Sequence, residues 1–230
     1  MTLSFEVIEE SSRIGNARAE FLARHTVAYV YSMMDRPDEA KVQIAEARER
    51  IIQLHARRFL TSNNCCYAMA ARTAGNRTLA LKYLAEAEAV ANELNVLWSM
   101  PWVLGQRAFA TKDAKEREEA LEEGERLLQS GVGDYNRFEF YVPAIEACIE
   151  IEDWDSVERY ATALENYTRV EPLGLAQIVT ARGRALAKFG RGHSDDATMQ
   201  ELKRLYDEAE RIGWRTALPT LGKALAAVKS

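Results

Sequence analysis

A stripe of apolar residues recurs along the chain. Ala40, Ile44, Ala47, Ile51 and Leu54 are spaced four, three, four and three residues apart, the period of one face of an α-helix. Adding 40 to each number gives Ala80, Leu84, Ala87, Ala91 and Leu94, the same ladder with a small residue again at its start. A further shift of 40 gives a weaker copy, Ala120, Gly124 and Leu127. The stripe returns at Val157, Ala161 and Leu164, and at Leu202, Tyr206, Ala209 and Gly213. Copies in phase near a fixed period predict a repeat architecture.

The segments before each ladder carry turn signals. In Met34–Ala40, Pro37 suits a first helical turn and Asp35 is placed to cap it. Gly75 stands in the register of Asp35 before the second ladder, and Glu152–Val157 and Gly190–Asp196 play the same part later. Between these turns there is room for a first helix over 18–33, 58–73, 97–111, 138–151 and 175–189. Each has an apolar, aromatic face: Phe21, Val27, Ala28 and Tyr31 in the first, Phe138, Tyr141, Ile145 and Ile149 in the fourth. The chain ends on Leu218-Pro219 and an apolar run, Leu221, Ala224, Leu225 and Val228, as a capping helix of a stacked array requires.

The pattern therefore predicts an all-α fold, a right-handed α–α superhelix of about five antiparallel helix pairs. The pairs fall at 18–55, 58–95, 97–130, 138–170 and 175–213, with a capping helix at 215–229, in a single domain over 1–230. No alternating strand pattern interrupts them. Gly131-Val132-Gly133-Asp134 reads as a longer inter-helix turn rather than a hinge. Residues 1–17 fit either an ordered helix or a linker.

Composition narrows the function. The net charge of -5 and pI near 5.5 argue against a nucleic-acid partner, which usually demands a basic face. No apolar run approaches the roughly 20 residues of a membrane span, and the first residues lack the pattern of a signal peptide. Three cysteines, Cys65, Cys66 and Cys148, do not make a disulfide framework, so a reducing cytoplasm is expected. Two Asn-x-Thr matches, at Asn76 and Asn166, then carry no meaning.

Helix pairs near 40 residues long with small residues at the crossings resemble the tetratricopeptide-repeat superfamily, whose standard unit is about 34 residues. The match is to long-helix variants, because the regular Trp-Leu-Gly-Tyr signature is missing. The segments Trp154–Ala161, Glu165–Leu173, Ala181–Ala187 and Asp207–Pro219 resemble the C-terminal repeat region of bacterial multidomain nucleotide-cyclase/ATPase signalling proteins. That resemblance covers roughly residues 150–225. It implies a sensory or scaffold segment without cyclase activity, since the catalytic carboxylates and phosphate loop have no counterpart in this chain.

The sequence offers little catalytic chemistry. No glycine-rich turn ends in Lys and Ser or Thr, and Gly190-Arg191-Gly192 reads as a helix stop. His25, His55 and His193 have no zinc spacing and Cys65-Cys66 lacks a CxxC partner, so no metal and no cofactor is expected. Both cysteines read as small packing residues. The glutamates of 116–123 interleave with Lys115, Arg117 and Arg126 as a solvated helix face. The chain is expected not to be an enzyme.

Binding is the function that remains. In the resembled superfamily the first helix of each pair lines a concave groove. The candidate groove residues are Asn63, Asn64 and Tyr67, then Trp98, Trp102 and Arg107, then Glu139, Arg182 and Arg184. Tyr, Trp and Arg supply much of the energy of interfaces; packing and surface ion pairs are the competing roles. The expected function is a protein-interaction scaffold or sensory module with a protein or peptide in the groove. The alternative is a small-molecule-sensing regulatory domain, which requires an enclosed pocket with a few convergent polar groups. Self-association through Trp98 and Trp102 would give a homodimer.

Overall fold

The computed structural model describes residues 2–132 and 136–227. Among them are twelve α-helices and no strand. They are α1 (Thr2–Arg13), α2 (Ala17–Met33), α3 (Pro37–Gln53), α4 (Leu60–Thr73), α5 (Arg77–Glu93) and α6 (Met100–Ala110). Then follow α7 (Ala114–Gln129), α8 (Arg137–Glu150), α9 (Trp154–Thr168), α10 (Gly174–Gly190), α11 (Asp196–Ile212) and α12 (Leu218–Ala226). Residues 2–13 are thus helical. Gly131 and Val132 form a turn, while Gly133, Asp134 and Val228 lie outside the described residues.

Helix ends follow a common plan. Residues with positive φ stand at 15, 35, 55, 75 and 95, one every twenty positions, and Asp35 (φ 57°) and Gly75 (φ 77°) occupy equivalent places. Asp35 therefore terminates α2 in the left-handed conformation instead of capping α3, whose N-cap is Arg36 with no side-chain bond. The next amide closes each end back onto the helix, Arg36 N–H to Tyr31 O at 2.9 Å and Asn76 N–H to Ala71 O at 2.9 Å. Some helix starts are satisfied by side chains: Asn76 Oδ1 accepts from Leu79 N at 2.9 Å, Asp113 from Glu116 N at 2.8 Å, and Asp195 from Thr198 N at 2.8 Å.

The ladder residues are the core. Ala40, Ile44, Ala47 and Ile51 of α3 and Ala80, Leu84, Ala87 and Ala91 of α5 are buried. The ladder of α3 stops there, because Leu54 follows the last turn and is exposed. In α11, Leu202, Leu205 and Ala209 are buried, and Leu205 takes the core place assigned to Tyr206, which is half-buried. The third ladder is weak for a steric reason. A Cβ at Gly124 would meet Phe140 Cε2 of α8, so glycine there makes room for the ring.

Helices pack in adjacent pairs: α2 on α3, α4 on α5, α6 on α7, α8 on α9. The first members also contact one another in sequence, α2 with α4, α4 with α6, α6 with α8, α8 with α10 and α10 with α12. They form an inner row, and α3, α5, α7, α9 and α11 lie outside it. The two ends of the row meet. The turn Arg215–Ala217 contacts α2, and Thr216 Oγ1 donates to Met33 O at 3.3 Å. Met33 packs against the same buried cluster as Trp214.

Candidate functional site

The inner row surrounds a cavity of about 870 Å³, to which α2, α4, α6, α8 and α10 all contribute, together with the short turns that precede α4 and α6. On α2 the lining follows one helical stripe, Arg18, Leu22, His25, Thr26 and Tyr29. Phe59 and Ser62 enter beside the start of α4, Trp98 and Trp102 beside that of α6, Phe138 and Glu139 from the first turn of α8, and Leu175 from α10. Aromatic faces dominate this wall. Phe59 lies 6.2 Å from Trp98, edge to face, and Arg18 and Arg58 stack on it at 5.6 and 5.0 Å.

The polar and charged side chains of the wall are Arg18, His25, Thr26, Arg58, Ser62 and Glu139. His25 is 7% exposed, and Asn63 Nδ2 lies 3.1 Å from its Nε2 and donates to Ile44 O at 3.0 Å. An amide nitrogen only donates, so His25 Nε2 is the acceptor and the ring proton is on Nδ1. Burial pushes the imidazole down to about 4, so the ring is neutral at neutral pH. Glu139 behaves oppositely: burial raises its carboxyl above the usual range, and its own backbone N–H only partly offsets this. Glu139 Oε2 and Trp102 Nε1 are sealed from water and have no hydrogen-bond partner.

Tyr29 also borders a separate, smaller space of about 70 Å³, beside Arg72, Gln106, Phe109, Glu146 and Trp214. Arg72 lies 3.9 Å from the Phe109 ring centre, and burial lowers its guanidinium to about 10. Glu146 accepts a short hydrogen bond from Arg182 Nη1. Arg182 is 1% exposed, donates to Thr220 Oγ1 at 2.6 Å and stacks 5.2 Å from Trp214. This network joins α8, α10 and α12 where the row closes.

Of the nine groove residues named from the sequence, the structure brings three into the cavity wall: Trp98, Trp102 and Glu139. Asn63 stands behind the wall as the partner of His25. The other five tie helix to helix. Asn64 accepts from Arg48 Nη1 at 3.1 Å, Tyr67 stacks on Tyr83 at 4.9 Å, and Arg107 pairs with Glu88 at 2.5 Å and Glu116 at 2.8 Å. Arg182 is buried as described, and Arg184 pairs with Glu158 and Glu165, each at 2.8 Å.

The cavity residues of α2 escaped the sequence reading. Their signal was present as a second stripe, Arg18–Leu22–His25–Tyr29, beside the apolar face Phe21–Ala28. Arg58 and Phe59 sit in a short turn before α4, where helical periodicity says nothing.

Among the described residues, no group of three or more His, Cys, Asp or Glu could hold a metal ion. No helix among them is long and apolar enough to cross a membrane. No protein-family model matches the chain, and no curated protein or solved structure matches it either.

Proposed function

We propose that this chain is a non-catalytic ligand-sensing module whose inner helices bind one small molecule with a largely apolar body. The observation that carries the reading is the common cavity. Its volume lies within the roughly 300–1,000 Å³ of small-molecule sites, and its lining is mainly aromatic and aliphatic, with Arg18, Arg58 and Glu139 as its charged groups. Five helices from five different pairs contribute to it, so a bound molecule biases how the pairs stack. In this reading the pairs form a right-handed superhelix of the tetratricopeptide kind, curled until its ends meet at Met33 and Thr216. The resemblance of residues 150–225 to the repeat region of cyclase/ATPase proteins supports a place in a larger cytoplasmic signalling protein.

The protein- or peptide-binding reading differs in what fills the cavity. A peptide or partner protein would extend along the row beyond the pocket, whereas the residues gathered here border one pocket of small-molecule volume. The test is titration with N-phenyl-1-naphthylamine, a neutral apolar fluorophore, against the native protein and Thr26→Trp. Thr26 lies in the wall, and the larger side chain fills space without touching the core ladders. The native protein should show one saturable site that Thr26→Trp abolishes. Absence of binding, or equal binding by both, refutes the reading.

A further inference from the structure

Among the described residues, the cavity wall contains one carboxyl group, Glu139, and its surroundings are unusual for an acid. It stands in the first turn of α8, where the amide-rich helix end tolerates negative charge. That placement accounts for only part of its environment. Oε2 is closed off from water with no donor to receive, and Glu139 has no ion-pair partner among the described residues. The cavity's arginines, Arg18 and Arg58, stack on Phe59 instead. A carboxylate in such a setting lacks compensation from the described residues around Oε2, and the Glu139 side chain itself lines the cavity.

Trp98, Trp102 and Phe138 line the same wall. Aromatic faces attract cations through their quadrupoles, and a carboxylate beside them adds a charge-assisted hydrogen bond. An anion is repelled at Glu139 and suits only the part of the wall where the Arg18 and Arg58 guanidiniums lie on Phe59, and a neutral ligand gains nothing from the carboxylate's charge. A cation uses both the rings and the carboxylate. Taking the ligand-sensing reading above as given, we propose that the cavity selects an amine: a protonated nitrogen seated against Glu139 among the rings of Trp98, Trp102 and Phe138, carrying an apolar body.

Glu139 has a second consequence, which separates a ligand group from a structural one. A buried, uncompensated acid destabilises the empty protein at neutral pH, because the unfolded chain ionises it more easily. Removing its charge should therefore raise the melting temperature while weakening binding, as expected where stability is given up for function.

The experiment compares three probes with one body and different heads: 4-phenylbutylamine, 4-phenylbutanol and 4-phenylbutanoate. Their affinities are measured by calorimetry on native protein and on Glu139→Gln, which preserves the shape. The amine should bind native protein at least tenfold more tightly than the alcohol or the acid. Glu139→Gln should lose that tenfold, leave the alcohol within twofold and melt at a higher temperature. Equal binding of all three heads, an amine affinity untouched by Glu139→Gln, or a lower melting temperature of the empty variant overturns the proposal while leaving the cavity reading intact. Should Glu139→Gln fail to fold, N-acetylated 4-phenylbutylamine on native protein decides instead, and an affinity equal to the free amine's overturns the proposal. Failure of every head to bind native protein overturns the ligand-sensing reading itself.

Discussion

Gly124 of α7 offers a sharp test of the packing. An alanine in a helix interior is favoured over glycine by about 1 kcal/mol, so propensity alone predicts that Gly124→Ala stabilises the protein. The structure predicts the reverse. The new Cβ would lie 2.2 Å from Phe140 Cε2 and 2.9 Å from Cδ2 and Cζ. Phe140 cannot swing aside: it is fully buried and held edge-on by Tyr141 at 5.5 Å and Tyr160 at 6.0 Å. Overpacking of a fixed core costs about 1–3 kcal/mol or more, and an overlap this deep belongs at the upper end. The net change is a loss of about 2 kcal/mol, or a fall of roughly 4–8 °C in melting temperature for a chain of this size.

Gly222 of α12 is the control. Its Cβ would meet only Tyr206 Cε2 at 3.7 Å, an ordinary contact. Gly222→Ala should therefore stabilise by about 0.5–1 kcal/mol. Urea denaturation followed by far-ultraviolet circular dichroism, with calorimetric melting alongside, measures both. A Gly124→Ala protein as stable as native, or one more stable, would refute the packing of α7 against α8.

Three further outcomes follow from buried groups. His25 should make stability depend on pH: its folded value of about 4 lies below the unfolded 6.5, so the unfolded state binds the proton first. The stability is present above pH 6.5 and is lost as pH falls towards 4, by about 3 kcal/mol in all. His25→Leu should remove that component from the pH profile, and parallel profiles would count against a neutral buried ring. Arg182→Met leaves Glu146 without its buried partner and should cost about 3–5 kcal/mol, largely recovered by adding Glu146→Gln; chemical denaturation of the single and double variants reads this. Cys65, Cys66 and Cys148 are buried, with the thiols of Cys66 and Cys148 pushed up to about 12, so iodoacetamide should label none of them in native protein and all three in urea.

The helices were legible because their signals are local. Ladder spacing and turn residues mark α2 to α11 within a few residues, and the apolar tail marks α12. The last turn's chemistry was half-legible: the equivalence of Asp35 and Gly75 was visible, but not that both end a helix in the left-handed conformation. Gly124 looked like a flaw in the repeat because its explanation, Phe140, lies on the next helix. The site was less legible still. Trp98, Trp102 and Glu139 were found by residue type, while Arg107, Arg182 and Arg184, chosen on the same grounds, spend their charge on ion pairs. Which arginine meets which glutamate is a long-range fact. So is the meeting of Met33 with Thr216, 183 residues apart, which joins the two ends of the row.

The claim that α2, α4, α6, α8 and α10 bind one ligand together is open to direct measurement by hydrogen exchange with saturating 4-phenylbutylamine. Amides of these five inner helices and of the turn Arg215–Ala217 should exchange more slowly in the complex, with α3, α5, α7, α9 and α11 unchanged. Protection confined to a single helix pair, or found on the outer helices, would contradict it.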